Sequence, residues 1–191
     1  MKKNSLEIVI PIYNEGNNLI KLFKLFDTNV KTDFRVLLCY DKQDDNVFDI
    51  LEDLKNFKFE VVLVKNPLNG PCSAVKEGLN FGNSDCVIVY PADDFLNSDI
   101  IDKMYKNFLE GSDIVVASRF TEGGSMKGCP ILKSILVRAA SSSLFLLSSI
   151  PVRDASNGFR LFSRRLLEKV EIESKIGFAY SLELLSKCNR L

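Results

Sequence analysis

The stretch Leu6-Glu7-Ile8-Val9-Ile10-Pro11-Ile12-Tyr13-Asn14-Glu15-Gly16-Asn17-Asn18-Leu19 carries three signals in succession. Its apolar, β-branched start reads as a buried strand. Asn14 to Asn18 then break the run, and Leu19, Leu22, Phe23 and Phe26 recur at helical spacing. The unit strand, polar loop, helix is repeated downstream. A second strand over Phe34 to Tyr40 is followed by the acidic loop Asp41-Lys42-Gln43-Asp44-Asp45 and a helix carrying Val47, Ile50, Leu51 and Leu54. A third strand over 59–64 leads through Asn69-Gly70-Pro71 into a helix from Ser73. The fourth, Cys86 to Val89, precedes a helix near 99–109, and a fifth spans 113–118. Strands apolar on both faces, alternating with amphipathic helices, imply an α/β fold whose mostly parallel central sheet is covered by helices on both sides. Ligands of such sheets bind beyond the carboxyl ends of the strands. Tyr13, Asn14, Glu15, Asp41, Gly70, Asp93 and Asp94 all fall at such ends.

Composition narrows the chemistry. The chain has 191 residues, enough for one well-buried domain, with 46% hydrophobic residues and 25 basic against 25 acidic side chains. Bulk attraction to nucleic acid is not expected. There is no histidine, which excludes Ser-His-Asp and Cys-His catalysis and histidine-ligated metal. Five cysteines without CxxC spacing argue against a zinc ribbon or disulfide framework and for a reducing cytoplasm. No secretory signal is read at the start. The glycine-rich stretch 121–130 reads as a lid or a plain surface loop.

Tyr90-Pro91-Ala92-Asp93-Asp94-Phe95 places adjacent carboxylates where the fourth strand ends. Partly removed from water they repel each other, and a divalent cation relieves the repulsion. Oxygen ligands suit Mg²⁺ or Mn²⁺, held by one or two carboxylates and completed by substrate phosphates. The structural alternative is that Asp93 or Asp94 caps the helix near residue 98 or closes an Asx turn. Arg119 and Arg160 are candidate phosphate contacts, because a guanidinium fork matches phosphoryl oxygens, or else surface ion pairs.

Taken together these stretches resemble the GT-A type, family-2 glycosyltransferases, most closely the dolichol-phosphate mannose synthase-like, polyprenyl-phosphate branch. The similarity runs through residues 8–19, Asp41, NPLNGPCSAVKEGL (66–79), PADD (91–94), VVASRF (115–120), VRDASNGFRLFSRRLLE (152–168) and GFAYSLELL (177–185), nearly the whole chain. It implies a single Rossmann-like GT-A domain, with 1–118 as nucleotide-sugar-binding half and 119–191 as acceptor-side half. It further implies that Pro11, Tyr13 and Glu15 border the nucleotide, that Asp41 accepts from a base N–H, and that backbone passes close to the base at Gly70. Glu15 could equally favour its helix dipole, and Asp41 and Gly70 could be turn residues. The family's Asp-x-Asp metal motif departs here: Pro91 stands at the first carboxylate position. Asp93, beside Ala92, becomes the expected ligand, and Asp94 replaces the lost charge or points outward. Asp154 falls where relatives place an acid near the acceptor, and would be the base if the acceptor is a hydroxyl.

The implied reaction is inverting, metal-dependent transfer of a sugar from a UDP- or GDP-sugar to a polyprenyl phosphate or a glycan hydroxyl, in cell-envelope glycan or glycolipid synthesis. The alternatives are a non-catalytic nucleotide-sugar-binding domain, motivated by Pro91, and a sugar-1-phosphate nucleotidyltransferase, which would place a glycine-rich loop with Arg after the first strand. Residues 131–150, with Leu132, Ile135, Leu136, Ala139, Leu146, Leu147 and Ile150 at helical spacing and Lys133 and Arg138 near the start, read as a core helix packed on the sheet. The resemblance implies instead an amphipathic helix on a membrane face, where Lys133 and Arg138 could meet a lipid phosphate, hence a cytoplasmic protein peripheral at the inner surface. Leu182, Leu184 and Leu185 read as a helix that Leu191 interrupts, so a truncated chain or a minimal enzyme is expected.

Overall fold

The computed structural model of the chain describes residues 5–121, 123–124, 130–147 and 152–190. Six strands form one sheet: β1 (Leu6–Ile12), β2 (Phe34–Tyr40), β3 (Glu60–Lys65), β4 (Cys86–Val89), β5 (Ile114–Val116) and β6 (Arg160–Ser163). Their spatial order is β3-β2-β1-β4-β6-β5. Pairings among β1 to β4 are parallel, as expected, while β6 lies antiparallel to both β4 and β5. The sequence reading missed β6, a short strand whose two apolar positions, Leu161 and Phe162, give too little pattern to register.

Seven helices accompany the strands among the described residues: α1 (Gly16–Asn29), α2 (Leu51–Leu54), α3 (Pro71–Phe81), α4 (Ile101–Leu109), α5 (Ile131–Leu147), α6 (Arg164–Leu167) and α7 (Ala179–Cys188). Alternation along the strands divides the core in two. Ile8, Ile10 and Ile12 of β1, with Val36, Leu38 and Ile88, face α1 and α4 through Leu19, Leu22, Phe23, Phe26, Ile101 and Met104. Val9, Leu37, Val87 and Phe162 face α3 and α7 through Val75, Leu79, Tyr180 and Leu184. Both faces are therefore covered, as the continuous apolar runs require.

The chain leaves β1 toward β2 and β3 on one side and returns to β4 on the other, so the order of connection reverses beside β1. A crevice opens where neighbouring strands diverge in this way. β4 follows β1 only as far as the Tyr90 N–H donating to Val9 O at 2.9 Å, whereas β1 runs on to Ile12. Pro11, with no N–H to donate, sits where the β4 neighbour has ended.

One helix corrects the reading of 131–150. α5 does not pack into the core: Ile131 is 80% exposed, Leu132 71%, Ile135 58%, Leu136 61% and Leu146 75%, while Ser141 is buried. Ala139 is exposed as well. Ile150 and most of the suggested lid, including Glu122 and 125–129, lie outside the described residues.

Candidate functional site

At the carboxyl ends of β1 and β4 is a cleft of 240 Å³ whose wall includes Pro11, Glu15, Pro91, Ala92, Asp93 and Tyr180, with Gly158 and Phe178 beside them. The structure thus brings Pro11, Glu15, Ala92 and Asp93 together across most of the first hundred residues. Asp93 is exposed and its carboxylate makes no hydrogen bond or ion pair among the described residues. Glu15 is the N-cap residue of α1 without a side-chain cap bond, and its Oε2 accepts from Asn18 Nδ2. Two carboxylates and no Lys or Arg line the described wall. A cleft so charged favours a cation and repels a bare phosphate.

Asp94, expected to replace the lost charge at the metal or to point outward, takes the Asx-turn alternative instead. Its Oδ1 accepts from Leu96 N at 3.0 Å and Asn97 N at 3.1 Å, and Asn97 Nδ2 reaches both oxygens. Tyr90 Oη also donates to Asp94 O at 2.9 Å. It closes the Asx turn that leads into the 3-10 turn Ser98–Ile100 and is no free metal ligand. Among the described residues no cluster of three or more His, Cys, Asp or Glu side chains could hold a metal. The donor set present is Asp93, with Glu15 in the same wall; it fits a hard cation that takes most of its oxygens from a ligand and water.

The neighbouring strand ends form a second group. Asp41 Oδ2 accepts from Gly70 N at 2.8 Å and Oδ1 from Asn66 Nδ2 at 2.6 Å, while Lys65 Nζ donates to Asp41 O. Asn66, buried, in turn accepts from Ser73 Oγ and from Leu68 N at 3.1 Å. Gly70 has φ +103°, open to glycine and strained for other residues, and is the N-cap residue of α3. Neither Asp41 nor Gly70 lines the cleft wall. Tyr13 also stands outside, 61% exposed.

The residues expected on the acceptor side are arranged differently from the sequence reading. Asp154 is fully buried and held by Arg119 in a fork: Nε to Oδ2 at 2.8 Å, Nη2 to Oδ1 at 2.7 Å, and the Arg119 backbone N to Oδ2 at 3.0 Å. Burial alone would raise its carboxyl, but the Arg119 side-chain and backbone bonds outweigh it and hold the group below the usual carboxylate range. A carboxylate so paired is a poor proton acceptor, which corrects its reading as a base. Arg119 has this ion pair as its first partner, with Ser156 Oγ at 2.7 Å as well. Arg160 is corrected outright: it is fully buried under α7, donating through Nη1 to Ser181 O and through Nη2 to Ala155 O, with Nε unpartnered among the described residues. Burial pushes its guanidinium down to about 10. It cannot reach a phosphate in the cleft.

Two further arginines lie near this pair: Arg138, one of the cations that the resemblance set against a lipid phosphate, and Arg153, which the sequence reading did not assign. Arg138 of α5 stands 5.1 Å from the Phe120 ring centre, and Arg153 stands 5.9 Å from that of Phe145. With Phe120, Ser142, Phe145 and Leu146 they line a cavity of 330 Å³ at the flank of α5. For Arg153 the sequence offered no pattern of its own.

The family model "Glycosyl transferase family 2" matches residues 7–171. The chain is 26% identical over 186 residues to the dolichol-phosphate mannosyltransferase of Pyrococcus furiosus, covering 95% of this chain and 52% of that protein. It is 22% identical over 185 residues to the polyprenol monophosphomannose synthase of Mycolicibacterium smegmatis, covering 93% and 69%. The chain thus spans about half the length of the Pyrococcus relative. In structure it resembles the glucosyl-3-phosphoglycerate synthase of Mycobacterium tuberculosis, crystallised with Mn²⁺, uridine diphosphate and glucosyl-3-phosphoglycerate, with TM-score 0.71 over 95% of this chain and 64% of that one. At 17% identity this likeness bears on the fold, which is the expected GT-A fold.

Proposed function

The chain belongs to glycosyl transferase family 2, and from that premise we propose that it moves a sugar from a nucleotide diphosphate-sugar to a polyprenyl phosphate, with inversion at the anomeric carbon. The observation that carries the reading is the unengaged Asp93 carboxylate in a cleft with Glu15 and no basic side chain, at the switch point of the sheet. A diphosphate enters such a wall only with its charge compensated. A bound Mg²⁺ or Mn²⁺ would supply Lewis-acid neutralisation of the leaving diphosphate, and Asp93 is the residue that would hold it. Glu15 and Tyr13 face the nucleoside, and Asp41 orders the adjoining strand end through Gly70.

The state of Asp154 favours the phosphate acceptor over a glycan hydroxyl. A hydroxyl must lose a proton as it attacks, and Asp154 is occupied by Arg119. A phosphate monoester arrives already ionised; its oxygen attacks C1 as the bond from C1 to the diphosphate breaks, and no base is needed. Arg138 and Arg153, in a cavity otherwise walled by Phe120, Ser142, Phe145 and Leu146, offer that anion its donors. The exposed apolar side of α5 would lie on the membrane that supplies the lipid. The helix suits a surface position: no described helix is long and apolar enough to cross a membrane. The Mycolicibacterium and Pyrococcus relatives, whose names carry polyprenol monophosphomannose and dolichol phosphate, support this acceptor class. Residues 1–118 and 119–191 then act as donor and acceptor sides of one domain.

The test is transfer from labelled UDP- and GDP-sugars to polyprenyl phosphate with Mn²⁺, beside thermal shifts with UDP and GDP. One nucleotide is expected to raise the melting temperature, and Asp93→Ala to lower transfer about 100-fold or more. Pro91 at the first metal position favours one competing reading, a domain that binds without turnover. Nucleotide binding with no transfer to phosphate or hydroxyl acceptors, in wild type and variant alike, would establish it.

A further inference from the structure

The donor loop 13–16 is held by a pair of side chains from the neighbouring strand's exit. Asp45, buried to 4% exposure, accepts the Asn14 N–H on Oδ2 at 2.8 Å and the Val47 N–H on Oδ1 at 2.9 Å. Asn46 accepts the Gly16 N–H on Oδ1 at 2.8 Å and donates through Nδ2 to Asn14 O at 3.2 Å. Asn14 between them has φ +57°, the left-handed region that asparagine enters more readily than other non-glycine residues. The approach is close: a Cβ on Gly16 would lie 2.8 Å from Asn46 O and 3.0 Å from its Oδ1.

We propose that Asp45 and Asn46 form a latch that positions the loop 13–16 for the donor, making them positioning residues for nucleotide recognition. The latch consumes the N–H groups of Asn14 and Gly16, so the loop presents side chains to its ligand: Tyr13 outward and Glu15 into the cleft with Asp93. Each latch bond fixes backbone on one side of Glu15 or the other, and together they set the direction of its carboxylate. A helix cap alone would need only the Asp45 bond to Val47; the three bonds to Asn14 and Gly16 serve the loop of β1, some thirty residues earlier. This inference rests on the reading of the cleft as the donor site.

Calorimetry of UDP and GDP with Mn²⁺, on the wild-type chain and on Asn46→Ala, Asn46→Asp and Asp45→Asn, tests it together with amide hydrogen exchange. Asn46→Ala is expected to weaken the bound nucleotide about tenfold. Asn46→Asp, which keeps the acceptor for Gly16, recovers part of that loss. Exchange at Asn14 and Gly16 speeds up in Asn46→Ala while Ile8 and Ile10 stay protected, a pattern that general loss of stability does not produce. Unchanged nucleotide affinity in Asn46→Ala overturns the latch, as does unchanged exchange at Asn14 and Gly16. Should Asn46→Ala lose protection throughout β1, Asp45→Asn, which leaves a single acceptor oxygen for the Asn14 and Val47 N–H groups, is judged by the same criteria. A wild type that binds neither nucleotide overturns the donor reading instead, and with it the proposal; a wild type that binds while the variants bind equally overturns the latch alone.

Discussion

Asp93 and Asp94 are adjacent in the chain and have opposite fates. Asp94 turns back onto Leu96 and Asn97 and spends its oxygens on a turn, while Asp93 stays open to the cleft. Pattern alone could place a carboxylate pair at the strand end, but which of the two faces the ligand depends on one turn's dihedral angles. Arg160 makes the same point more sharply. An arginine after glycine and phenylalanine looks like a ligand contact; here the strand alternation that turns Phe159 and Leu161 to one layer turns Arg160 into the other, under α7. Its replacement therefore tests packing. Arg160→Met leaves the Ser181 and Ala155 carbonyls without their donor and is expected to cost about 2–4 kcal/mol, read as a lowered denaturant midpoint. Arg160→Lys, keeping a donor but no fork, is expected to lose less. Equal stability of Arg160→Met and wild type would return Arg160 to the list of ligand contacts.

Helices and strands were legible where they were long. The period of Leu19, Leu22, Phe23 and Phe26 marks α1, and the runs of β1 and β2 mark their strands, because a buried face repeated over several turns or residues leaves a regular trace. β6 left no such trace, having four residues with arginine at its start. α5 left an ambiguous one: an apolar helix has the same spacing whether its face meets a sheet or a lipid surface. The exposures of Ile131, Leu132, Ile135 and Leu136 decide against the sheet. Substituting Leu132, Ile135 and Leu136 together by serine should therefore leave the melting temperature within about 2 °C of wild type. The same variant should bind anionic lipid vesicles about tenfold or more weakly in a sedimentation assay. A large fall in melting temperature would instead mean that this face is covered by protein.

At the scale of the molecule, the far end of the chain is tied down by charge. Glu183 of α7 accepts the Glu173 N–H at 2.7 Å and the Ser174 N–H at 2.8 Å, and pairs with Lys187 at 2.8 Å. Burial opposes ionisation, but the Lys187 and Ser174 bonds prevail and lower the carboxyl from its ordinary 4.5 to about 2. A group depressed by folding stabilises the native state above its unfolded value and loses that contribution as the pH falls through the folded one. Stability should thus decline as pH drops from 4.5 toward 2, and Glu183→Gln, less stable at neutral pH, should show a shallower decline over that window by chemical denaturation. The parallel half of the architecture was readable from its repeating units; the placement of the second half was not, because a reversed strand has no sequence mark of its direction. That strand has a mechanical consequence. β6 comes from beyond residue 118 yet is hydrogen-bonded on one flank to β4 and on the other to β5, both from before it. On the donor and acceptor division proposed above, the two sides are stitched into a single slab, and among the described residues no joint separates them. On that proposal, substrate capture and product escape fall to the rim loops, while the sheet keeps the two sides at a constant spacing.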